Sequence, residues 1–302
     1  MSQQLKVGAV VVTFNKCEYL KENIQHLLKQ SYPLTTILIV DNHSSDNTQS
    51  YVQQIIKNNP QVKYLRLTHN SGGAGGFHDG LKQLLETTDV DLAWLMDDDT
   101  MPTDDALLNL MVAAKHLQGK FGFLASNVRF TDNHAALMNV PRTTNDWNES
   151  LSLGLIKVKT STFVSFLVSR QVVEKVGLPI KDFFIWSDDT EYSNRISKCY
   201  PSYFVPQSII IHKMKVNRGV SFNQEDDLQR LPRYFYSFRN NLYIERQNGH
   251  ISYLRYVISI CLQILIMPFR HVPYRWRKLR ILIRGLIAGL TFHPTIDYLN
   301  NK

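Results

Sequence analysis

Sulfhydryl groups are few: Cys17, Cys199 and Cys261 are the only cysteines in 302 residues. Odd in number and far apart, they exclude a disulfide framework and a thiolate zinc cage, and they fit a reducing compartment, the cytoplasm. Long apolar stretches are missing as well. No uninterrupted apolar run reaches the roughly 20 residues that a membrane-spanning helix needs. The opening Met1-Ser2-Gln3-Gln4-Leu5-Lys6 passes directly into a strand-like run, so no signal peptide is expected. Acidic residues disappear entirely between Glu245 and Asp297, a stretch that still carries eight Lys and Arg.

The overall composition, 44% hydrophobic and 20% charged, excludes a disordered chain. The length allows one large or two small domains. A net charge of +8, from 34 basic and 26 acidic residues, suits an anionic partner such as a nucleotide, a lipid surface or a nucleic acid.

Three β-branched runs alternate with helical patterns. Val7 to Phe14, Ile37 to Val40 and Val62 to Leu67 read as buried parallel strands. Apolar spacing through Leu20, Ile24, Leu27 and Leu28, and through Val52, Ile55 and Ile56, reads as helix. This β-α-β-α-β order indicates a doubly wound α/β domain, whose ligands lie beyond the carboxyl ends of the strands. Thr13, Phe14 and Asn15 stand at one such end and Asp41 at another. Asp41 either accepts hydrogen bonds from a base or ribose, or caps the next helix. Asn70 then introduces Gly72-Gly73-Ala74-Gly75-Gly76-Phe77, with a helix expected to start near Phe77. The run is a flexible turn or a place where backbone approaches an anion. Its spacing matches neither a Walker loop nor a dinucleotide fingerprint.

Two acidic clusters carry the chemistry. Trp94-Leu95-Met96 runs straight into Asp97-Asp98-Asp99. Carboxylates gathered at the end of a buried strand need a cation or open solvent. Hard oxygen ligands suit Mg²⁺ or Mn²⁺, ions that share their shell with phosphates. A helix is expected over 102–117 and a strand within 121–130; 131–154 reads as a loop or flap over the site, and 158–169 as a strand. The second cluster, Trp186-Ser187-Asp188-Asp189-Thr190-Glu191, follows aromatics at a helix start. Carboxylates there either complement the helix dipole or provide a general base beside an apolar wall. His212 ends an apolar strand and is a candidate metal ligand.

Beyond His212 the chain changes character. Lys213, Lys215 and Arg218 lie in a basic loop that could close over a diphosphate, and an amphipathic helix with an aromatic face follows over 233–245. In the acid-free stretch, Arg255, Arg270, Arg275, Arg277, Lys278, Arg280 and Arg284 interleave with Tyr256, Leu262, Phe269 and Trp276. That pattern marks an interfacial helix on an anionic membrane, against the plainer alternative of a hairpin packed on the first domain. Val257 to Phe269 is apolar but too short to span. A domain over 1–220 and a helical region over 221–302 are expected.

The ordered set resembles the inverting glycosyltransferases of family 2, with their GT-A fold. It comprises Val10-Val11-Val12-Thr13-Phe14-Asn15, Ile39-Val40-Asp41-Asn42-His43-Ser44-Ser45-Asp46, Asn70, Asp97-Asp98-Asp99, Trp186 to Glu191, and His212. The glycine run and second cluster look most like galactofuranosyltransferases, with rhamnosyltransferases close behind. The resemblance implies a Rossmann-like nucleotide-diphospho-sugar transferase domain with a basic helical extension. It implies that Thr13, Phe14, Asn15, Asp41, Asn70, Gly72, Gly73 and Asp98 meet the nucleotide and its sugar. Asp97, Asp99 and His212 would hold Mn²⁺ or Mg²⁺. Asp189 would be the base, or Asp188, since Ser187 intervenes after Trp186; Glu191 and Trp186 would contact the acceptor. The implied reaction moves a hexose, UDP-galactofuranose being the preferred donor and dTDP-rhamnose the rival. The acceptor would be a glycan or lipid-linked acceptor, in surface polysaccharide or cell-wall synthesis at the inner membrane face. A non-catalytic nucleotide-binding scaffold is the alternative of another class. No nucleic-acid motif appears, so no nucleic-acid partner is expected, and an oligomer is allowed.

Overall fold

A computed structural model describes residues 4–300. Met1, Ser2 and Gln3, part of the opening segment read above, lie outside the described residues.

The first half alternates β1 (Val7–Thr13), α1 (Cys17–Leu28), β2 (Thr36–Asp41), α2 (Thr48–Asn58), β3 (Val62–Arg66), α3 (Gly72–Thr87) and β4 (Leu92–Asp97). Next come β5 (Thr100–Pro102), α4 (Ala106–His116), β6 (Phe123–Arg129), β7 (Arg142–Thr143), β8 (Ile156–Thr160) and β9 (Phe166–Ser169). The domain closes with α5 (Arg170–Val176), α6 (Asp188–Ser197) and β10 (Tyr203–His212). The sheet runs β3-β2-β1-β4-β9-β6-β10-β8-β7, with β5 paired antiparallel to β10. β1 to β4 are parallel, so their carboxyl ends share one edge: Thr13 pairs with Asp41, and Val12 with Asp97.

Period-two alternation divides β1 between two cores. Val7, Ala9 and Val11 face Leu20 and Ile24 of α1 and Leu107 of α4. Val10 and Val12 face Phe77, Leu81 and Leu84 of α3. The glycines of α3 bring this helix onto the sheet. A Cβ on Gly80 would stand 2.6 Å from both Val10 and Val40, and one on Gly76 would stand 2.6 Å from Val12. The expected helix start near Phe77 is therefore corrected: α3 already begins at Gly72, and within the run Gly76 meets the sheet while Gly72 meets the loop at Phe184. The continuous strand expected over 158–169 is likewise two strands, β8 and β9, on different neighbours.

Helices α7 (Arg233–Gln247), α8 (His250–Ile266) and α9 (Arg275–Thr291) form a separate small core with Leu231, Tyr234, Phe238, Ile260 and Leu282. Gly285 and Gly289 let α9 close onto Phe238 and Leu242 of α7. The tail then returns to the sheet domain. Leu178 N–H donates to Asp297 O at 2.8 Å, and Lys181 Nζ lies 3.0 Å from the Asp297 carboxylate. The apolar stretch judged too short to span is longer than its composition suggested. Helix α8 begins seven residues before Val257 and continues through a 3₁₀ turn, so His250–Phe269 makes 20 residues. That is about 30 Å of helix, long and apolar enough to cross a membrane by length and composition.

Candidate active site

The Asp97–Asp98–Asp99 cluster stands where β4 ends and the chain turns into β5, with Thr100 paired to His212 of β10. That pairing sets His212 beside the cluster, with Nε2 3.1 Å from Asp99 Oδ1. Lys16, just before α1, places Nζ 2.6 Å from Asp99 and 3.3 Å from Asp98. Burial raises Asp97 to about 6, with repulsion from Asp99 adding to it. Burial raises Asp98 to about 7 despite Lys16. In Asp99 burial acts in the same sense, but the His212 hydrogen bond and Lys16 outweigh it and hold the carboxyl well below the usual range. Burial opposes the charge on Lys16, yet Asp98 and Asp99 prevail and hold the ammonium above its usual value.

The donor set suits a hard divalent cation. Among the described residues no three acidic, His or Cys side chains already converge as a finished cage. His212 is fixed through its other ring nitrogen. Its Nδ1 lies 2.8 Å from Asn139 Oδ1. That contact fixes the ring with Nε2 facing the Asp99 carboxylate. A ligating histidine fixed through its other ring nitrogen is the usual second layer of a metal site.

The second cluster is presented by a strained loop. Phe184, Trp186 and Ser187 have φ of 63°, 66° and 68°, left-handed values that cost non-glycine residues about 1–3 kcal/mol each. Such a loop persists only if it is held. Fully buried Asn240 of α7 donates through Nδ2 to Phe183 O at 3.0 Å, Ile185 O at 3.3 Å and Trp186 O at 2.8 Å. From the opposite side Ala74 N–H donates to Phe184 O at 3.1 Å, and a Cβ on Gly72 would lie 1.9 Å from that oxygen. The loop delivers Asp188 and Asp189 to the N-terminus of α6. Burial raises Asp189 to about 6, restrained by hydrogen bonds from Thr190. Burial, then the neighbouring Asp189 charge, raises Asp188 well above the carboxylate range. Among the described residues neither carboxylate has a Lys, Arg or His partner within 4 Å.

Both clusters line one cleft of about 1200 Å³, beyond the usual 300–1000 Å³ for a single small ligand. Thr13, Phe14, Asn70, Gly72, Gly73, Asp97, Asp98, Asp99, Trp186, Asp188, Asp189 and His212 all reach it. Three residues singled out in the sequence do not. Asp41 is fully buried and tied to Arg66 Nη1 at 2.8 Å, to the Tyr64 hydroxyl and to Ser44 N–H at 2.7 Å; it organises the loop after β2. Asn15 turns its Oδ1 to Ser45 N–H at 2.7 Å. Glu191 forms a two-pronged pair with Arg195 at 2.9 Å, one turn along α6, which draws it away from the cleft. Trp186 reaches the cleft but packs edge-on against Tyr234 at 4.7 Å.

Four residues at this site escaped the sequence reading. Lys16 and Asn139 meet the first cluster, Asn240 holds the second, and Asn42 lines the cleft. Asn42 accepts from Ser71 N–H at 2.8 Å and donates to Gly72 O at 2.7 Å. Only the polar cluster after β2 gave a signal for Asn42; the other three become legible only when distant segments meet.

The glycosyl transferase family 2 model matches residues 9–175, more than half of the chain. The chain belongs to glycosyl transferase family 2. This glycosyltransferase is 26% identical over 262 residues to galactofuranosyltransferase GlfT1 of Mycolicibacterium smegmatis, covering 80% of this chain and 84% of that protein. It is 31% identical over 110 residues to GalNAc(5)-diNAcBac-PP-undecaprenol beta-1,3-glucosyltransferase of Campylobacter jejuni, covering 36% and 34%. Its fold is shared with the mannosyltransferase PcManGT of Pyrobaculum calidifontis, solved with GDP-Man and Mn²⁺, at a TM-score of 0.56 and 14% identity. That match covers 96% of this family 2 chain and 88% of the other. GalNAc-T7, solved with UDP, GalNAc and Mn²⁺, matches with TM-score 0.57 and 15% identity over 84% of this chain and 55% of that one. The expected α/β GT-A architecture is thus the observed one.

Proposed function

We propose that this family 2 enzyme transfers a hexosyl group, with inversion, from a nucleotide diphosphate donor to a glycan or lipid-linked acceptor in surface polysaccharide or cell-wall synthesis. UDP-galactofuranose is the preferred donor, in keeping with the relative that aligns over most of both chains. One observation carries the reading: two carboxylate clusters share a cleft, but one is tied to Lys16 and His212 while the other has no cation beside it.

These surroundings suit opposite tasks. Asp97, Asp99 and His212 would hold Mn²⁺ or Mg²⁺, which when bound neutralises the donor diphosphate and stabilises its departure. Lys16 holds Asp98 and Asp99 in place and adds positive charge. Thr13, Phe14, Asn70, Gly72, Gly73 and Asp98 form the donor wall. Across the cleft Asp189, whose basicity is raised toward neutrality by burial, takes the proton of the acceptor hydroxyl. As that oxygen bonds to the anomeric carbon from one face, the bond to the diphosphate oxygen breaks on the other. The electron pair leaves with the nucleoside diphosphate. Asp188, buried beside Asp189 and pushed by that burial toward its neutral form, is placed to hydrogen-bond a sugar or acceptor oxygen. The test is turnover of a nucleotide-sugar panel with and without Mn²⁺. Metal-dependent use of UDP-galactofuranose is expected; preference for dTDP-rhamnose would keep the mechanism and replace the donor, and no use of any nucleotide sugar by folded protein would overturn the reading.

We also propose that α8 and α9 rest on an anionic membrane at the cytoplasmic face. Leu265 of α8 and Phe269 of the 3₁₀ turn after it are 67% and 81% exposed, and Trp276 is 62% exposed at the start of α9. Arg270, Arg275, Arg277, Arg280 and Arg284 flank them without an acidic residue between. Apolar insertion joined to one-signed charge fits an anionic lipid surface.

A further inference from the structure

The donor and the two acidic clusters leave one wall of the cleft without a task. That wall is a single stripe of α7. Arg233, Tyr236, Asn241 and Glu245, and Asn248 just past the helix end, line the cleft at spacings of three to five residues, one side of the helix. From Arg233 to Asn248 the stripe extends about 22 Å at 1.5 Å per residue. Its opposite face supplies Phe238 and Leu242 to the helical core, and Asn240 secures the loop carrying Asp188 and Asp189. The stripe is therefore fixed relative to the second cluster and not the first.

A second observation lies at its far end. Asn194 of α6 is 5% exposed and lines the same cleft. Its Nδ2 donates to Asn248 Oδ1 at 3.2 Å, but its Oδ1 is buried with no hydrogen-bond partner. Leaving a buried acceptor unmatched costs about 1–3 kcal/mol, so such an oxygen in a cleft wall points to a donor supplied by a ligand. Beyond Arg233, one aromatic ring followed by amide and carboxylate groups makes a surface for a hydroxyl-rich ligand. The rings of Tyr236 and Phe184 stack at 4.8 Å on the cleft side, giving a flat apolar face for the C–H side of a sugar.

We infer that the cleft-facing stripe of α7, together with Asn194, is the acceptor subsite, and that it binds sugar rings through their hydroxyls. The inference rests on the glycosyl-transfer reading and names the surface that receives the second substrate.

Saturation-transfer NMR tests it directly, using methyl β-D-galactofuranoside, methyl α-L-rhamnoside and methyl β-D-galactopyranoside with the full chain, UDP and Mn²⁺ present. At least one glycoside is expected to bind the unaltered protein. Asn241→Ala and Glu245→Gln, both half-buried and mild, are expected to weaken it about 5- to 30-fold, the equivalent of about 1–2 kcal/mol. Calorimetric affinity for UDP with Mn²⁺ is expected to stay unchanged in both. Glycoside binding that survives both substitutions, or no binding of any glycoside to the unaltered protein, overturns the assignment. Loss of UDP affinity in parallel does so as well, because the stripe would then belong to the donor. The UDP titration of the unaltered protein separates this outcome from failure of the donor reading: glycoside bound without UDP bound would keep the subsite and discard the nucleotide.

Discussion

Asp188 and Asp189 are the residues whose surroundings say most. Burial raises both, so each favours its neutral form more than a solvated carboxyl does. For a general base the sign is clear: transfer requires the carboxylate, so kcat should fall as pH drops through about 6, the value to which Asp189 is pushed. A pH–rate profile with its acidic limb near 4 would contradict this. For stability the sign is opposite for Asp188. Its raised folded pKa penalises the carboxylate, so stability is lost as pH rises from the unfolded value of about 3.9 toward the raised one. Asp188→Asn should therefore increase Tm more at pH 8 than at pH 5, as thermal melts at the two pH values will show. Asn240 acts through the loop it holds. Asn240→Ala removes the side-chain donor shared by the Phe183, Ile185 and Trp186 carbonyls and should lower kcat about 10- to 100-fold, with affinity for UDP retained. Equal losses in kcat and UDP affinity would make Asn240 a general scaffold residue.

At the scale of elements, α3 and α7 show which parts of the fold were legible. β1, β2 and β4 could be read because they are continuous apolar runs, and their ends located Thr13 and Asp97 without a structure. The glycines of α3 misled, because the same residue type serves backbone approach to an anion and close packing of helix on sheet. Gly76 and Gly80 do the second; Gly73 has open space around it and faces the cleft. Gly80→Val should accordingly lose about 1–3 kcal/mol through overpacking against Val10 and Val40, measured by denaturant unfolding. Gly73→Ala should leave stability within the range of an ordinary surface change. Glu191 is claimed by Arg195 at i+4 on the same helix, a pairing that the spacing does carry, whereas Asp41 is claimed by Arg66, on a neighbouring strand whose facing direction a sequence does not reveal. Asn139 and Asn240 were invisible for the same reason, since each acts on a segment far away in the chain.

For the whole molecule, the two cores are tied by α7 and by the returning tail. Helix α7 belongs to the helical core through Phe238 and Leu242, and its Asn240 holds the loop that carries Asp188 and Asp189. Helices α8 and α9 pack on α7, so membrane docking would bring a lipid-linked acceptor to the proposed acceptor wall. Binding to vesicles containing anionic lipid should exceed binding to neutral vesicles and weaken as salt rises. Phe269→Ser with Trp276→Ser should reduce it at every salt concentration, by co-sedimentation. Equal binding to neutral vesicles would remove the electrostatic half of the proposal. The central claim is the division of labour between the two acidic clusters, and UDP calorimetry with and without Mn²⁺, paired with transfer assays on Asp99→Asn and Asp189→Asn, tests it most directly. Asp99→Asn should lose the Mn²⁺-dependent part of UDP binding, whereas Asp189→Asn should bind UDP normally and lose transfer by about 10²-fold or more. Normal transfer by Asp189→Asn, or unchanged Mn²⁺-dependent binding by Asp99→Asn, would contradict the account.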